Sequence, residues 1–251
     1  MNLSSKPSFK VVASLVVASL FAFAAAGQDP KPRTAIVNSL SGVAKYSSAG
    51  GAFAPLVIGT KLHAGDTIQT EINSHVDLDL GGNVGLIQIA PQSTFVVRSI
   101  TTTETPAEQV SDTQLEINKG AVYAKVNKQA KGSRYEIASP KGICGVRGTT
   151  LLFTAGGKLT VEKGTAGVAY PKPGGGADAH VLRDGQTISP GDAGPQDAAA
   201  DELRSIVEAL NDLGSHGIGP VTPPFVAPQQ PFISPTIPPL PGKATQPQPQ
   251  P

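Results

Sequence analysis

Between Thr34 and Pro190 the chain is written in short segments rich in Val, Ile, Leu and Thr, divided by glycine turns and without a helical period. This patterning constrains the fold more than any other feature. Segments of four to eight β-branched and apolar residues between glycine punctuation are strands, and little room is left for helices. His75–Leu80 shows it most cleanly: Val76, Leu78 and Leu80 face one side, and His75, Asp77 and Asp79 face the other. Gly81-Gly82-Asn83 then turns the chain into Val84–Ile89. Two segments echo each other. Leu115-x-Ile-x-Lys-Gly120 and Leu159-x-Val-x-Lys-Gly164 share a strand–turn–strand outline. The expectation is an all-β domain over 34–190, a rolled β-sandwich or an irregular β-solenoid-like arrangement. Polar, proline-containing Thr101–Asp112 reads as a loop, as does basic Lys128–Ser133.

A second constellation sits inside this pattern, at Ala138–Phe153, A-S-P-K-G-I-C-G-V-R-G-T-T-L-L-F. Ser139-Pro140-Lys141-Gly142 reads as a turn. Gly145 and Gly148 frame Val146-Arg147, so the backbone can bend on either side of the arginine, and Thr149 opens a buried strand. Arg147 has two readings: it meets a partner's carboxylate, or it locks the turn onto a buried acid or several carbonyls. Its apolar surroundings point to the locking role.

The stretch G-V-R-G-T-T-L-L-F, preceded by A-S-P-K-G, resembles the signature of the FecR-type domain. The resemblance extends through Gly42–Tyr46, I-G-T-K-L-H-A-G-D-T-I-Q-T at Ile58–Thr70, I-N-K-G-A-V-Y-A-K-V at Ile117–Val126 and V-E-K-G-T-A-G-V-A at Val161–Ala169. The family is named after the periplasmic part of an iron-dicitrate signalling regulator. The resemblance implies an all-β domain and a role in sensing or protein contact outside the cytoplasm. It makes Gly145, Val146, Arg147, Gly148 and Thr149 the family-motif residues, as structural elements or partner contacts. The signalling archetype carries a cytoplasmic sigma-factor-binding segment before a membrane span. Here ten residues precede the apolar run, so that half is expected to be missing.

Outside the β region the chain divides clearly. Lys6 and Lys10, apolar Val11–Phe23 and the small residues at 22–26 form a signal peptide over 1–26. The apolar run falls short of the ~20 residues of a membrane span. No stable span is therefore expected after cleavage, and the location is periplasmic or extracellular. Over 196–214 an amphipathic helix is predicted, capped by Asp197 and closed by Gly214. Its stripe is Leu203, Ile206, Val207, Leu210 and Leu213, expected to pack on the β domain. Residues 217–251 are a proline-rich tail, expected to be disordered, with Phe225, Phe232 and Leu240 as sparse apolar points.

Composition narrows the chemistry. A formal net charge of +1 and the absence of tryptophan argue against nucleic acid, both as polyanion and as stacked bases. One cysteine, Cys144, excludes an internal disulfide and reads as a small buried apolar residue. His75, Asp77 and Asp79 share a strand face, but that row spreads about 13 Å, too far for one ion. His63, His75, His180 and His216 are scattered, and neither a nucleophile elbow nor a phosphate loop is present. A hydrolase with an unseen carboxylate pair ranks last. No cofactor is implied. The first expectation is an exported, non-enzymatic FecR-domain protein that binds an envelope protein or cell-wall component, possible roles being sensing and signalling. The alternative is a structural wall-associated module on a proline-rich stalk.

The targeting segment generates a direct test. Intact-mass and N-terminal sequencing of protein recovered from its native host should find a mature chain beginning near Ala25 or Gly27. A chain retaining Val11–Phe23 would instead identify an uncleaved anchor.

Overall fold

The structure is a computed structural model and describes residues 29–81, 84–106 and 108–215. The predicted signal segment, the Gly82-Asn83 part of the turn and the proline-rich tail lie outside the described residues. Among the described residues the fold is all-β, two stacked sheets with a single helix, Ala200–Ser215.

The first sheet runs Ala177–Arg183, Thr165–Pro171, Gly142–Val146, Arg134–Ser139, Gln109–Lys119, Thr94–Glu104, Thr67–Thr70, Ala44–Ser47 and Ala54–Pro55, with Lys31–Pro32 added on Thr94–Glu104. The second runs Gln196–Asp197, Gln186–Ile188, Leu159–Lys163, Thr150–Thr154, Ala121–Val126, Gly85–Ile89, His75–Asp79, Ala35–Ser41 and Lys61–Leu62. Both orders follow the chain closely, so the polypeptide advances along the two sheets together, crossing from one to the other. Gln109–Lys119 passes to Ala121–Val126 in the opposite sheet. It then returns as Arg134–Ser139, parallel to where it started. That is one full coil around the core. The rolled sandwich and the solenoid-like reading thus describe one arrangement. Three of the four sheet ends are strands of two residues, which leaves little edge for unwanted pairing.

Between the sheets the alternating residues interlock. Phe95 and Phe153 are the largest fully buried side chains, surrounded by Ile68, Leu78, Ile87, Ile89, Leu115 and Ile137. Deleting a side chain of that size costs about 3–5 kcal/mol, transfer and cavity terms together. Cys144 lies in this core, completely buried.

The Lys-Gly echo marks corners between sheets. Gly120 alone joins the first sheet to the second, and Gly164 alone joins the second to the first; both have positive φ (81° and 101°). Thr101–Asp112 also differs from its loop reading. It belongs to two eleven-residue strands, Thr94–Glu104 and Gln109–Lys119, paired along their length. Threonine supports extended backbone, and the proline falls in the turn, outside the ladder. The turn is closed by the Thr105 hydroxyl, which donates to the Glu108 carbonyl at 2.5 Å.

Helix Ala200–Ser215 lies on the outer face of the second sheet. Ile206, Leu210 and Leu213 bury against Leu152, with Leu86, Ala121 and Tyr123 around them. Glu202 fixes its first turn, accepting from Lys158 Nζ (2.8 Å) and the Thr160 hydroxyl (2.6 Å). Three expected details change. Val207 is exposed at the margin of the stripe; Asp197 pairs in a short strand instead of capping; Gly214 lies within the helix. Near the helix's other end, Asp77 and Gln88 are buried. The Gln88 amide donates to Asp77 Oδ1 at 3.0 Å and to the Ala209 carbonyl at 3.1 Å. The row His75-Asp77-Asp79 is therefore a partly covered face, and Asp77 serves packing.

Burial pushes the Cys144 thiol and the Tyr135 phenol well above their ordinary values; Cys144 adds to the shift at Tyr135. In the unfolded chain these groups ionise near pH ~8.5 and ~10. Because the folded values are raised, their contribution to stability is complete below the unfolded values and is lost as pH rises. The urea midpoint should hold from about pH 6 to 8 and fall between about pH 9 and 11. Over the lower range Cys144 should react with a thiol reagent only after unfolding. A flat midpoint to pH 11, or rapid labelling of the native thiol, would contradict this.

Candidate functional site

The motif Gly145–Thr149 is another corner between sheets. Gly142–Val146 ends in the first sheet, Thr150–Thr154 begins in the second, and Arg147-Gly148-Thr149 makes the passage. Gly148 takes φ +78°, and an added Cβ would stand 3.1 Å from Lys128 Cα. Both the left-handed backbone and the close approach require glycine there. Gly145 differs: it pairs with Gly167 in the sheet, and an added Cβ would meet nothing within 4 Å.

Thr149 is the fastener of the corner. It is 2% exposed. Its hydroxyl donates to the Thr165 carbonyl at 2.6 Å and accepts from the Thr165 N–H at 3.2 Å. Its backbone exchanges two hydrogen bonds with Val126, at 2.9 and 3.1 Å. The neighbouring corner fits into this one. A Cβ on Gly164 would come within 2.6 Å of the Gly148 carbonyl oxygen. Two corners at the same end of the sandwich are thus hooked together by one threonine and two glycines.

Arg147 is placed otherwise than expected. The side chain is exposed, and no ion pair or hydrogen bond holds it among the described residues. The apolar neighbours that suggested a lock, Val146 and Cys144, point into the core, while alternation turns the arginine outward. No buried carboxylate meets it. The locking role belongs to Thr149, whose hydroxyl gave no sign of this in the sequence beyond its place in the motif.

Beside Arg147 lies a cavity of about 540 Å³, lined by Glu108, Gln109, Ser111, Lys128, Gln129, Ala130 and Lys131 as well as the arginine. Its walls come from the start of Gln109–Lys119, the loop before Arg134–Ser139, and the motif corner. Gln129 forms a pinned floor. Its amide donates to the carbonyls of Val84 (3.0 Å) and Asn127 (2.8 Å), and its Oε1 accepts from the Ser111 hydroxyl at 2.8 Å. The Ser111 N–H donates to Ser133 Oγ at 3.0 Å. Glu108 Oε1 accepts the Lys131 N–H at 3.0 Å. The basic character of the loop was legible in Lys128 and Lys131. Gln129 was not, because nothing in its neighbours distinguishes a buried glutamine from an exposed one. No group of three or more His, Cys, Asp or Glu side chains is arranged to hold a metal ion among the described residues. No helix among them is long and apolar enough to cross a membrane.

Comparison with known proteins places this geometry. Residues 66–167 match the family model described as FecR protein, which contains the whole motif corner. Two solved structures of a "putative anti-sigma factor" from Parabacteroides distasonis ATCC 8503 align at 11% and 12% identity, with TM-scores of 0.43 and 0.42. Each alignment covers 56% of this chain and 63% or 64% of the other, so the chain spans less than two thirds of those proteins. No curated protein matches.

The division of labour in the corner can be measured. Thr149→Val should cost about 1–3 kcal/mol by leaving the Thr165 groups without their partner. Gly164→Ala should cost at least as much, through positive φ and the clash with Gly148. Arg147→Ala should stay within about 0.5 kcal/mol of the parent. Urea unfolding checks all three, and a loss above about 2 kcal/mol at Arg147 would restore the locking role.

Proposed function

We propose, taking the FecR match across residues 66–167 as premise, that the chain is an exported, non-enzymatic module that binds another envelope or extracellular protein in sensing or signalling. The family match supports a regulatory role carried by protein contact. The observation that carries the reading is Arg147: an exposed guanidinium on a corner whose neighbours, Gly148 and Thr149, are committed to packing. Such a side chain adds little to folding, and a rigid corner holds its base in place. The five motif residues then divide: Gly148 and Thr149 build the corner, Val146 anchors it in the core, and Arg147 beside open Gly145 faces the partner.

The test is crosslinking in living cells with the tagged full-length chain, followed by mass spectrometry and fractionation. A single dominant protein in the envelope or extracellular fraction is the expected result. Attachment solely to wall material would favour the structural module on a proline-rich stalk. A cytoplasmic chain would overturn the reading altogether.

A further inference from the structure

The cavity beside Arg147 carries an unbalanced set of charges. Three cationic side chains, Lys128, Lys131 and Arg147, line it against one carboxylate, Glu108. All three cations are exposed, and none forms an ion pair among the described residues. Five surface cations elsewhere are matched, Lys45 with Glu71, Arg98 with Glu116, Arg134 with Glu136, Lys158 with Glu202 and Lys172 with Asp178. Others, such as Lys61, Lys119 and Lys125, stand singly, and what sets the cavity apart is that three line it together. The one acid in the cavity is already engaged with the Lys131 backbone amide, so a carboxylate is accommodated there and the cationic heads stay free.

The base beneath them is fixed. Gln129 is tied by three hydrogen bonds, and Lys128 Cα sits 3.1 Å from the position a Gly148 Cβ would take. The cations therefore stand on a frame that need not reorganise on binding, which lowers the cost of association. The volume of about 540 Å³ has room for a few side chains. No aromatic ring lines the cavity, so stacking of bases or sugars has no platform. Arginine's planar fork matches a carboxylate with two parallel hydrogen bonds, and the lysines supply flexible point charges on either side.

We propose that this notch is the docking site for an acidic peptide segment of the partner protein, with neighbouring carboxylates received by Arg147, Lys128 and Lys131. The inference rests on the reading of the chain as a protein-binding module and names the surface and the chemistry of that contact.

The experiment titrates the full-length protein into a fluorescein-labelled hexaglutamate peptide by fluorescence polarisation, with hexaglutamine as control. Binding of hexaglutamate alone is expected, weakening steeply as salt screens the charges. Arg147→Gln should weaken it about fivefold, as the loss of one exposed charge contact allows, with Arg147→Lys recovering part of the loss. Lys128→Gln and Lys131→Gln added to Arg147→Gln should abolish it, while Lys119→Gln, at an exposed cation on the opposite end of strand Gln109–Lys119, should change nothing. Equal losses at Arg147 and Lys119, no binding at all, or displacement by inorganic phosphate at constant ionic strength would overturn the proposal. The triple variant is then crosslinked in cells beside the parent chain. A partner captured by both would sink the notch and leave the binding-module reading intact. A partner captured by the parent alone supports the notch. If neither captures a protein, the broader reading falls, and the notch with it.

Discussion

The structure depends on how the chain changes sheets. Each sheet must bury one face against the other, and the chain passes between them repeatedly, after single strands or after hairpins, so the backbone has to turn out of one layer and into the next. At Gly120 and Gly164 it does so in a single residue. A turn that tight needs left-handed backbone, and the following strand starts before a side chain at the corner could find room. The motif corner is longer by two residues. That extra length lets it carry a side chain away from the core, at Arg147, while Gly148 supplies the reversal and Thr149 re-enters the interior. Packing then holds the corner from outside, through the Gly148 carbonyl under Gly164 and the Thr149 hydroxyl on Thr165.

How much of this could be read in the sequence follows from what each signal encodes. Alternation at His75–Leu80 reports which residues face inward, and the structure buries Val76, Leu78 and Leu80 completely. It does not report which sheet a strand joins, because a hairpin and a corner between sheets both appear as strand, glycine, strand. The Lys-Gly echo was visible for that reason and its meaning was not. Polar composition misled at Thr101–Asp112 because a long hairpin can leave one face in water, where threonine and serine satisfy the strand without apolar residues. Asp77 was read with the exposed face because the helix that covers it lies more than 120 residues later in the chain.

The candidate site was legible in part. The motif singled out the corner, and the basic loop announced Lys128 and Lys131, but only the coil of the chain from Gln109–Lys119 round to Arg134–Ser139 brings them beside Arg147. The inference that Arg147 locks the turn failed on a local argument. Apolar neighbours in sequence are opposite in space when the backbone is extended, so the residues that made the arginine look enclosed are the ones that turn it outward. Gln129 is the converse case: a polar residue in a polar loop whose side chain is drawn inward by the carbonyls of Val84 and Asn127.

Charge placement separates what folds the chain from what is left for contact. Glu202 is mostly buried and takes two donors, so removing either would strand a carboxylate against the sheet; that pairing stabilises the helix. Lys128, Lys131 and Arg147 keep their heads in water, where an unpaired cation costs the fold almost nothing. With a formal net charge of +1 the molecule projects no strong overall field, and beyond the Debye length of about 8 Å a partner would sense little attraction. Recognition at the notch therefore acts at contact distance. It rewards a segment whose carboxylates meet several cations at once, since one exposed pair contributes at most about 1 kcal/mol and the set must act together. A rigid corner below flexible cationic stems meets that requirement: the spacing of the charges is set by the fold, and the final fit is left to the side chains.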